Sequence, residues 1–257
     1  MKKLLKKLAL LPLFCGLVLT SACSTDEENG NGNGSNDIPT SWFDGTFTAT
    51  VVNGNAYNDL IDKIGVFISI DTNDNWINEK IATGTWSNGG FTISLPTTLD
   101  SRFLWLLGDI YGTTFTFSDR NARITHFFDG TPRIRAFDSD GNLLGFLWNE
   151  LEGENWWVDM EIVYADRDVT IIGTYTYSCE YEGWTETETW SVSLRRGWNK
   201  IYIVDKSTET SWDILFTTEP ISGLRWYFED AGRSLFPATK STKNTTQSRS
   251  IFSRLGR

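Results

Sequence analysis

Histidine and cysteine are almost missing from this chain, and their scarcity removes several chemistries at once. There is one histidine in 257 residues, His126, in Ile124-Thr125-His126-Phe127-Phe128. A nucleophilic centre built on a histidine base would depend on it alone, and no serine or cysteine nucleophile motif stands around it; it reads as a strand histidine. The three cysteines are Cys15, Cys23 and Cys179, too few with one histidine for a zinc set. Cys179 has no CxxC neighbour and reads as a packed thiol. Helical signal is also lacking, because no segment holds a 3.6-residue apolar period for three turns. The apolar run Leu8 to Leu19 falls short of the about 20 residues that span a bilayer.

What is present begins at the N-terminus. Lys2, Lys3, Lys6 and Lys7 precede the apolar run, and the small pair Ser21-Ala22 precedes Cys23. That order of basic, apolar and small residues is a secretory signal. Leu19-Thr20-Ser21-Ala22-Cys23 resembles the lipobox of bacterial lipoprotein signal peptides, with Thr20 where a leucine is usual. The resemblance implies cleavage before Cys23 and lipid on that cysteine, whose acyl chains hold a membrane at ~0.8 kcal/mol per buried CH₂. Cleavage after Ala22 without acylation would instead release a soluble exported protein. Ser24-Thr25-Asp26-Glu27-Glu28 is similar to the surface-export signal of Bacteroidetes lipoproteins, which implies the outer membrane and an outward-facing body. With Cys15 lost and Cys23 acylated, Cys179 is the only thiol left in the folded part, so no intrachain disulfide is expected.

Charge and composition divide the remainder of the chain. Net charge is −10, and removing the four signal lysines takes it to −14. From Ala231 to Arg257 there are six basic residues and no acid, which leaves the body near −20 against a tail of +6. Such a body is a poor partner for nucleic acid. Asn29 to Asn36 has glycine at alternate positions and reads as a flexible tether. The expected organisation is a signal over 1–22, anchor and tether over 23–41, β regions over 42–107 and 108–230, and a basic, disordered tail over 231–257. A tail docking on the acidic body or on an acidic glycan or lipid is the sharper reading.

The body reads as strand. Thr46 to Val52, Ile64 to Ile70, Phe91 to Leu95 and Lys200 to Val204 are short and rich in β-branched and aromatic residues. Asn53-Gly54, Asn88-Gly89-Gly90, Asp140-Gly141-Asn142 and Glu182-Gly183 supply residues that tolerate positive φ in tight turns. The expected class is all-β, an antiparallel β-sandwich in one or two domains. Gly45 to Pro96, with Gly45-Thr46-Phe47-Thr48 and Gly90-Phe91-Thr92-Ile93, resembles the transthyretin-like or carboxypeptidase-regulatory β-sandwich. Together with Val192 to Tyr202 and Ser222 to Phe228 it looks like a group of Bacteroidetes surface lipoproteins of unknown activity. That resemblance implies a location and no mechanism.

Three segments could carry chemistry. If Glu182-Gly183 is a two-residue turn, one hairpin register pairs Tyr181 with Trp184, Cys179 with Glu186, Tyr177 with Glu188, Tyr175 with Trp190, Gly173 with Val192 and Ile171 with Leu194. One face is then aromatic and acidic at the tip and aliphatic at the base, and the other is mostly Thr, Ser and Glu. Tyr177, Tyr181, Trp184, Glu186 and Glu188 would form an aromatic platform with flanking acceptors, suited to sugar rings; they would equally cap the edge of a core. Trp156 to Ile162 invites comparison with laminarinase-like retaining glycosidases, which place two carboxyls ~5 Å apart in a Glu-x-Asp-x-Glu strand. Asp159 and Glu161 fill the last two places, but Trp157 occupies the nucleophile's. That strand is expected to point Val158, Met160 and Ile162 inward and Asp159 and Glu161 into water. Asp71-Thr72-Asn73-Asp74-Asn75 and Asp138-Ser139-Asp140-Gly141-Asn142 space oxygen ligands as calcium loops do, yet Asn149 stands at the twelfth position of the second, where a bidentate glutamate belongs. Asp138, Asp140 and Asn142 are therefore weak calcium candidates beside a plain hairpin turn.

The expectation is a lipid-anchored surface protein that binds rather than transforms, with glycan the leading ligand and no cofactor. A structural or assembly role beside another surface protein, through a sheet edge, is the alternative. A cryptic glycoside hydrolase, needing a cleft with two facing carboxyls, is the third.

Overall fold

A computed structural model describes residues 41–71, 76–110, 114–125, 132–179 and 183–232. Among them sixteen strands form. The first eight are β1 (Trp42–Phe43), β2 (Thr46–Thr50), β3 (Lys63–Asp71), β4 (Trp76–Ser87), β5 (Gly90–Ser94), β6 (Leu104–Leu106), β7 (Thr116–Phe117) and β8 (Arg123–Thr125). The rest are β9 (Arg133–Phe137), β10 (Leu143–Glu152), β11 (Trp156–Ala165), β12 (Val169–Cys179), β13 (Trp184–Leu194), β14 (Gly197–Ser207), β15 (Ser211–Thr217) and β16 (Arg225–Asp230). The all-β class follows from the residue pattern. The four segments with strand signal lie in β2, β3, β5 and β14, and Asn53, Asn88, Gly89, Gly141 and Gly183 all take positive φ. At Asn88-Gly89 two consecutive positive φ values, 51° and 72°, make the tight turn that joins β4 to β5.

The strands run in one continuous order, β2-β5-β4-β3-β9-β10-β11-β14-β15-β13-β12-β7, with β16 on β10, β1 on β14, and β8 between β6 and β11. The first part curls on itself. Val51, just past β2, bridges Trp226 of β16, and the Val52 N–H donates to the Trp226 carbonyl at 2.8 Å. The expected boundary at 107/108 is crossed by this ladder, since β3 pairs with β9 from Lys63↔Phe137 to Phe67↔Arg133.

One pairing departs from the antiparallel expectation. β15 turns back from β14 and enters the space between β14 and β13, so it runs antiparallel to β14 and parallel to β13, Thr185↔Ser211 through Ser191↔Thr217. The sheet is mixed for that reason.

Two apolar clusters form the core. The first gathers Phe47, Ile64, Val66, Ile68, Phe91, Ile93, Ile134 and Leu147 from the curled part, with Met160, Ile162, Tyr164, Trp198 and Tyr202 from one face of β11 and β14. The second takes the other face of the same strands, Val163, Ala165, Ile201 and Ile203, with Ile171, Trp190, Val192, Ile214 and Phe216. Strands β11 and β14 are thus covered on both sides. Trp190 stacks on Phe216 with centroids 4.0 Å apart and planes at 13°. A fully buried aromatic of this kind contributes about 1.5–3 kcal/mol by transfer alone.

Candidate functional site: a tryptophan and carboxyl cleft beside β11

Strand β10 pairs with β9 as far as Leu147 and with β11 only from Leu151 onward. Between those points β9 and β11 diverge, and a cavity of about 280 Å³ opens at the fork. Its lining comes from the start of β9 (Arg133), the middle of β10 (Trp148, Asn149, Glu150), Trp157 and Asp159 to Ile162 of β11, and Trp226 of β16.

A diverging strand leaves backbone groups without a ladder partner, and buried ones must be paired. Asn149 supplies the pairing. Its Nδ2 donates to the Met160 carbonyl and its Oδ1 accepts from the Met160 N–H, both at 2.9 Å, so one amide side chain stands in for a missing strand residue. Farther along, the Tyr164 N–H donates to the Thr125 hydroxyl at 3.1 Å. These contacts hold β11 straight past the opening.

Alternation along β11 sends Met160 and Ile162 into the first cluster, as their spacing predicts, and Val158 is buried with them. Trp157, Asp159 and Glu161 share the opposite parity. The expectation that Asp159 and Glu161 stand in water is corrected here. Asp159 Oδ1 and Glu161 Oε2 are both sealed from solvent, and Asp159 Oδ1 has no hydrogen-bond partner among the described residues. Both residues are half-buried at the cavity of the fork, with these oxygens turned away from solvent.

Burial sets the electrostatics. The Asp159 carboxyl is pushed well above the usual carboxylate range, first by desolvation and then by Glu161, with Asp205 and Glu150 adding to the rise and Arg133 opposing it. Glu150 is raised by burial and by Glu152. Asp205, paired across from Trp157 in the ladder, is raised to about 6 by burial, although the Trp157 indole donates a hydrogen bond to it. Burial and its acidic neighbours thus favour the protonated form of Asp159, while Arg133 brings a cation to the same cavity.

Aromatic faces complete the cleft. Trp148 and Trp157 are 39% and 38% exposed, which is high for the largest apolar side chain, and Trp148 lies against Tyr227 at 5.2 Å with planes 30° apart. Trp226 packs inward on Phe47 and Phe91, at 5.4 and 5.0 Å.

The hairpin of β12 and β13 forms in a different register from the expected one. Cys179 pairs with Trp184, Tyr177 with Glu186, Tyr175 with Glu188, Gly173 with Trp190 and Ile171 with Val192. Four residues, 180–183, connect the strands in place of the expected two-residue turn. A shift of two keeps every side chain on its face. The Thr and Ser face is therefore a ladder of hydroxyl contacts, Thr174 to Thr189 at 3.3 Å, Thr176 to Thr187 at 3.4 Å and Ser178 to Thr185 at 3.4 Å. On the other face Tyr177, Trp184 and Trp212 form an aromatic row with centroids 5.4 and 5.2 Å apart. Glu186 and Glu188 do not flank that row in solvent: they are 3% and 0% exposed. Parallel addition of β15 beside β13 brings Trp212 and Ile214 alongside them, a contact between distant segments that hairpin logic does not reveal. Cys179 is half-buried and has no disulfide.

Asp138 is engaged inside its own turn. Its carboxylate accepts from the Asn142 N–H at 2.8 Å and the Asn142 amide at 2.9 Å, and these bonds, the amide first, hold its pKa below the usual value. Among the described residues no three acidic, histidine or cysteine side chains are placed to share a metal ion. Cys23, the signal, the tether to Thr40, the tail from Arg233, His126, Tyr181 and the loop 72–75 lie outside the described residues.

No family of known proteins matches the chain, and no curated protein or solved structure is significantly similar to it. No described helix is long and apolar enough to cross a membrane. Local sequence pattern singles out Asp159, Glu161 and Trp157 without placing them in a cleft, and it misses Arg133, Trp148, Asn149, Trp226 and Asp205. One signal does point there. Ile201-Tyr202-Ile203-Val204 is a continuous apolar run, the mark of a strand covered on both faces, and β11 is its neighbour.

Proposed function

We propose that this is a carbohydrate-binding protein, carried on the outer membrane by lipid on Cys23 with its body facing outward, and that it takes its ligand in the β11 cleft. The observation that carries the reading is the joint lining of one cavity by the exposed indoles of Trp148 and Trp157 and the carboxyls of Glu150, Asp159 and Glu161. Sugar rings present flat C–H faces and a rim of hydroxyls, and each hydroxyl both donates and accepts. Indole faces cover the first. Asp159, whose burial favours the protonated, donating form, acidic neighbours that accept and the Arg133 cation address the second. A cavity of about 280 Å³ is close to the lower end of small-ligand sites, about 300 Å³, so one end or branch of a glycan fits better than a long buried stretch.

The hairpin row of Tyr177, Trp184 and Trp212 is the weaker candidate, because its glutamates are buried away from any ligand. A glycan array with the full chain in detergent separates the two places. Retention of at least one glycan, lost in Trp157→Ala and kept in Trp184→Ala, is expected. Retention lost only in Trp184→Ala would move the site to the hairpin, and no retention on the array would remove the glycan reading.

A further inference from the structure

Charge is unevenly placed around the β11 cleft. Glu150, Asp159 and Glu161 line it against a single cation among the lining residues, Arg133. A further acid, Asp205, stands one strand away, paired with Trp157 and accepting its indole hydrogen bond. The carboxyl of Asp159 lies inside that surplus. Glu161, Asp205 and Glu150 oppose its ionisation and Arg133 favours it, while its Oδ1 has no hydrogen-bond partner among the described residues. Acidic groups drawn out of water without a matching cation are costly, so the cavity is short of positive charge.

The lining says what form that charge takes. A bare metal ion does not suit it, since among the described residues no three acidic, histidine or cysteine side chains are placed to share one. The walls are indole, from Trp148, Trp157 and Trp226. The Trp157 N–H is taken by Asp205, so what that side chain offers a ligand is ring carbon. Indole faces attract an ammonium within about 6 Å of the ring centroid and also cover the C–H side of a sugar. A uronate or a sulfated sugar would bring a like charge to three carboxyls and an opposite one to Arg133 alone. A neutral sugar would strip water from the carboxyls and return no charge. A sugar ring that carries its own ammonium suits both the walls and the acids.

We infer that the cleft selects a cationic amino sugar, one whose amine is free rather than acetylated, with the carboxyls of Glu150, Asp159 and Glu161 answering the ammonium and the indoles covering the ring. The inference deepens the glycan reading above and rests on it. Arg133 acts in the opposite sense, because its guanidinium repels the ligand's ammonium, so its removal should tighten binding.

The test is titration calorimetry of the full chain in detergent, at about 150 mM salt so that diffuse attraction to the acidic body is screened. The ligands are short oligomers of glucosamine, N-acetylglucosamine, glucose and galacturonate, with spermine as a polyamine that has no ring. The glucosamine oligomer is expected to bind at least about tenfold more tightly than each of the others, to lose about tenfold in Glu150→Gln and in Glu161→Gln, and to gain in Arg133→Gln. The gain in one variant beside the loss in two keeps a weakened fold from imitating the result. Equal or tighter binding of the acetylated, neutral or acidic oligomer would overturn the inference and leave the glycan reading standing. Spermine binding as tightly as the amino sugar, or unchanged affinity for the glucosamine oligomer in both carboxyl variants, would also overturn it, the first by removing the role of the ring and the second by moving the binding to the acidic surface at large. No binding of any of the four sugars would overturn the inference and count against the glycan reading as well.

Discussion

Replacing Asn149 by alanine removes one side chain and orphans two backbone groups. In the folded protein the Asn149 amide takes the place of a strand residue for Met160, with both bonds at 2.9 Å, and Asn149 is 7% exposed. A buried donor or acceptor left without a partner costs about 1–3 kcal/mol. Two such groups set a range of about 2–6 kcal/mol, and water entering from the adjoining cavity draws the value to its lower half, about 2–4 kcal/mol. The melting temperature of a body of this size should fall by about 2–4 °C per kcal/mol, so roughly 5–15 °C. Urea unfolding followed by tryptophan fluorescence measures the loss, with the denaturant slope unchanged if only the folded state is affected. Asn149→Asp discriminates further: it keeps the acceptor for the Met160 N–H, loses the donor for the Met160 carbonyl and puts a charge beside Asp159. It should not restore stability. A loss below about 0.5 kcal/mol in Asn149→Ala, the range of an ordinary surface change, would refute the idea that this side chain stands in for a strand.

Charge, sterics and the anchor each have a test of their own. Asp205 has a folded pKa of about 6 against an ordinary 3.8, so the folded state holds its proton over a range in which the unfolded chain has released it. The contribution of Asp205 to stability should therefore fall as pH rises from about 4 to about 6 and level off above that, and the raised Asp159 acts in the same direction; in melting curves from about pH 4 to about pH 6, Asp205→Asn should flatten the decline, and an unaltered slope would contradict the assignment. At Gly54 an added Cβ would lie 2.1 Å from the Gly89 carbonyl oxygen, backbone against backbone, so Gly54→Ala should cost about 1–3 kcal/mol; a neutral result in urea unfolding would mean that the two turns do not meet. Cys23→Ala should abolish labelling with a radioactive or clickable fatty acid, and persistent labelling would refute the anchor.

Strand identity was legible because β-branched and aromatic runs stop at Gly, Asn and Asp, and those residues do take positive φ in the fold. The two faces of the β12 and β13 hairpin were legible for the same kind of reason. Period two fixes the face of each side chain whatever the loop length, so a register error of two residues left Tyr177, Trp184, Glu186 and Glu188 on one side. Layering was not legible. Alternation in Trp157-Val158-Asp159-Met160-Glu161-Ile162 says which residues point together, but whether the acidic side meets water depends on segments far away in the chain. The parallel seat of β15 beside β13 and the fork between β9 and β11 are of that kind. The cleft exists because of the fork, and no local pattern in β10 announces that its partner changes between Leu147 and Leu151.

Whether the β11 cleft, and not the hairpin tip, receives the ligand is decided by affinity in solution. Titration calorimetry of the full chain with the glycan most strongly retained on the array, beside Trp157→Ala and Trp184→Ala, reads it. Loss of a central aromatic anchor costs about 2 kcal/mol or more, roughly thirtyfold in affinity. That loss is expected in Trp157→Ala, with a change of less than about twofold in Trp184→Ala; the reverse order, or equal affinities in all three proteins, would contradict a ligand site in the cleft.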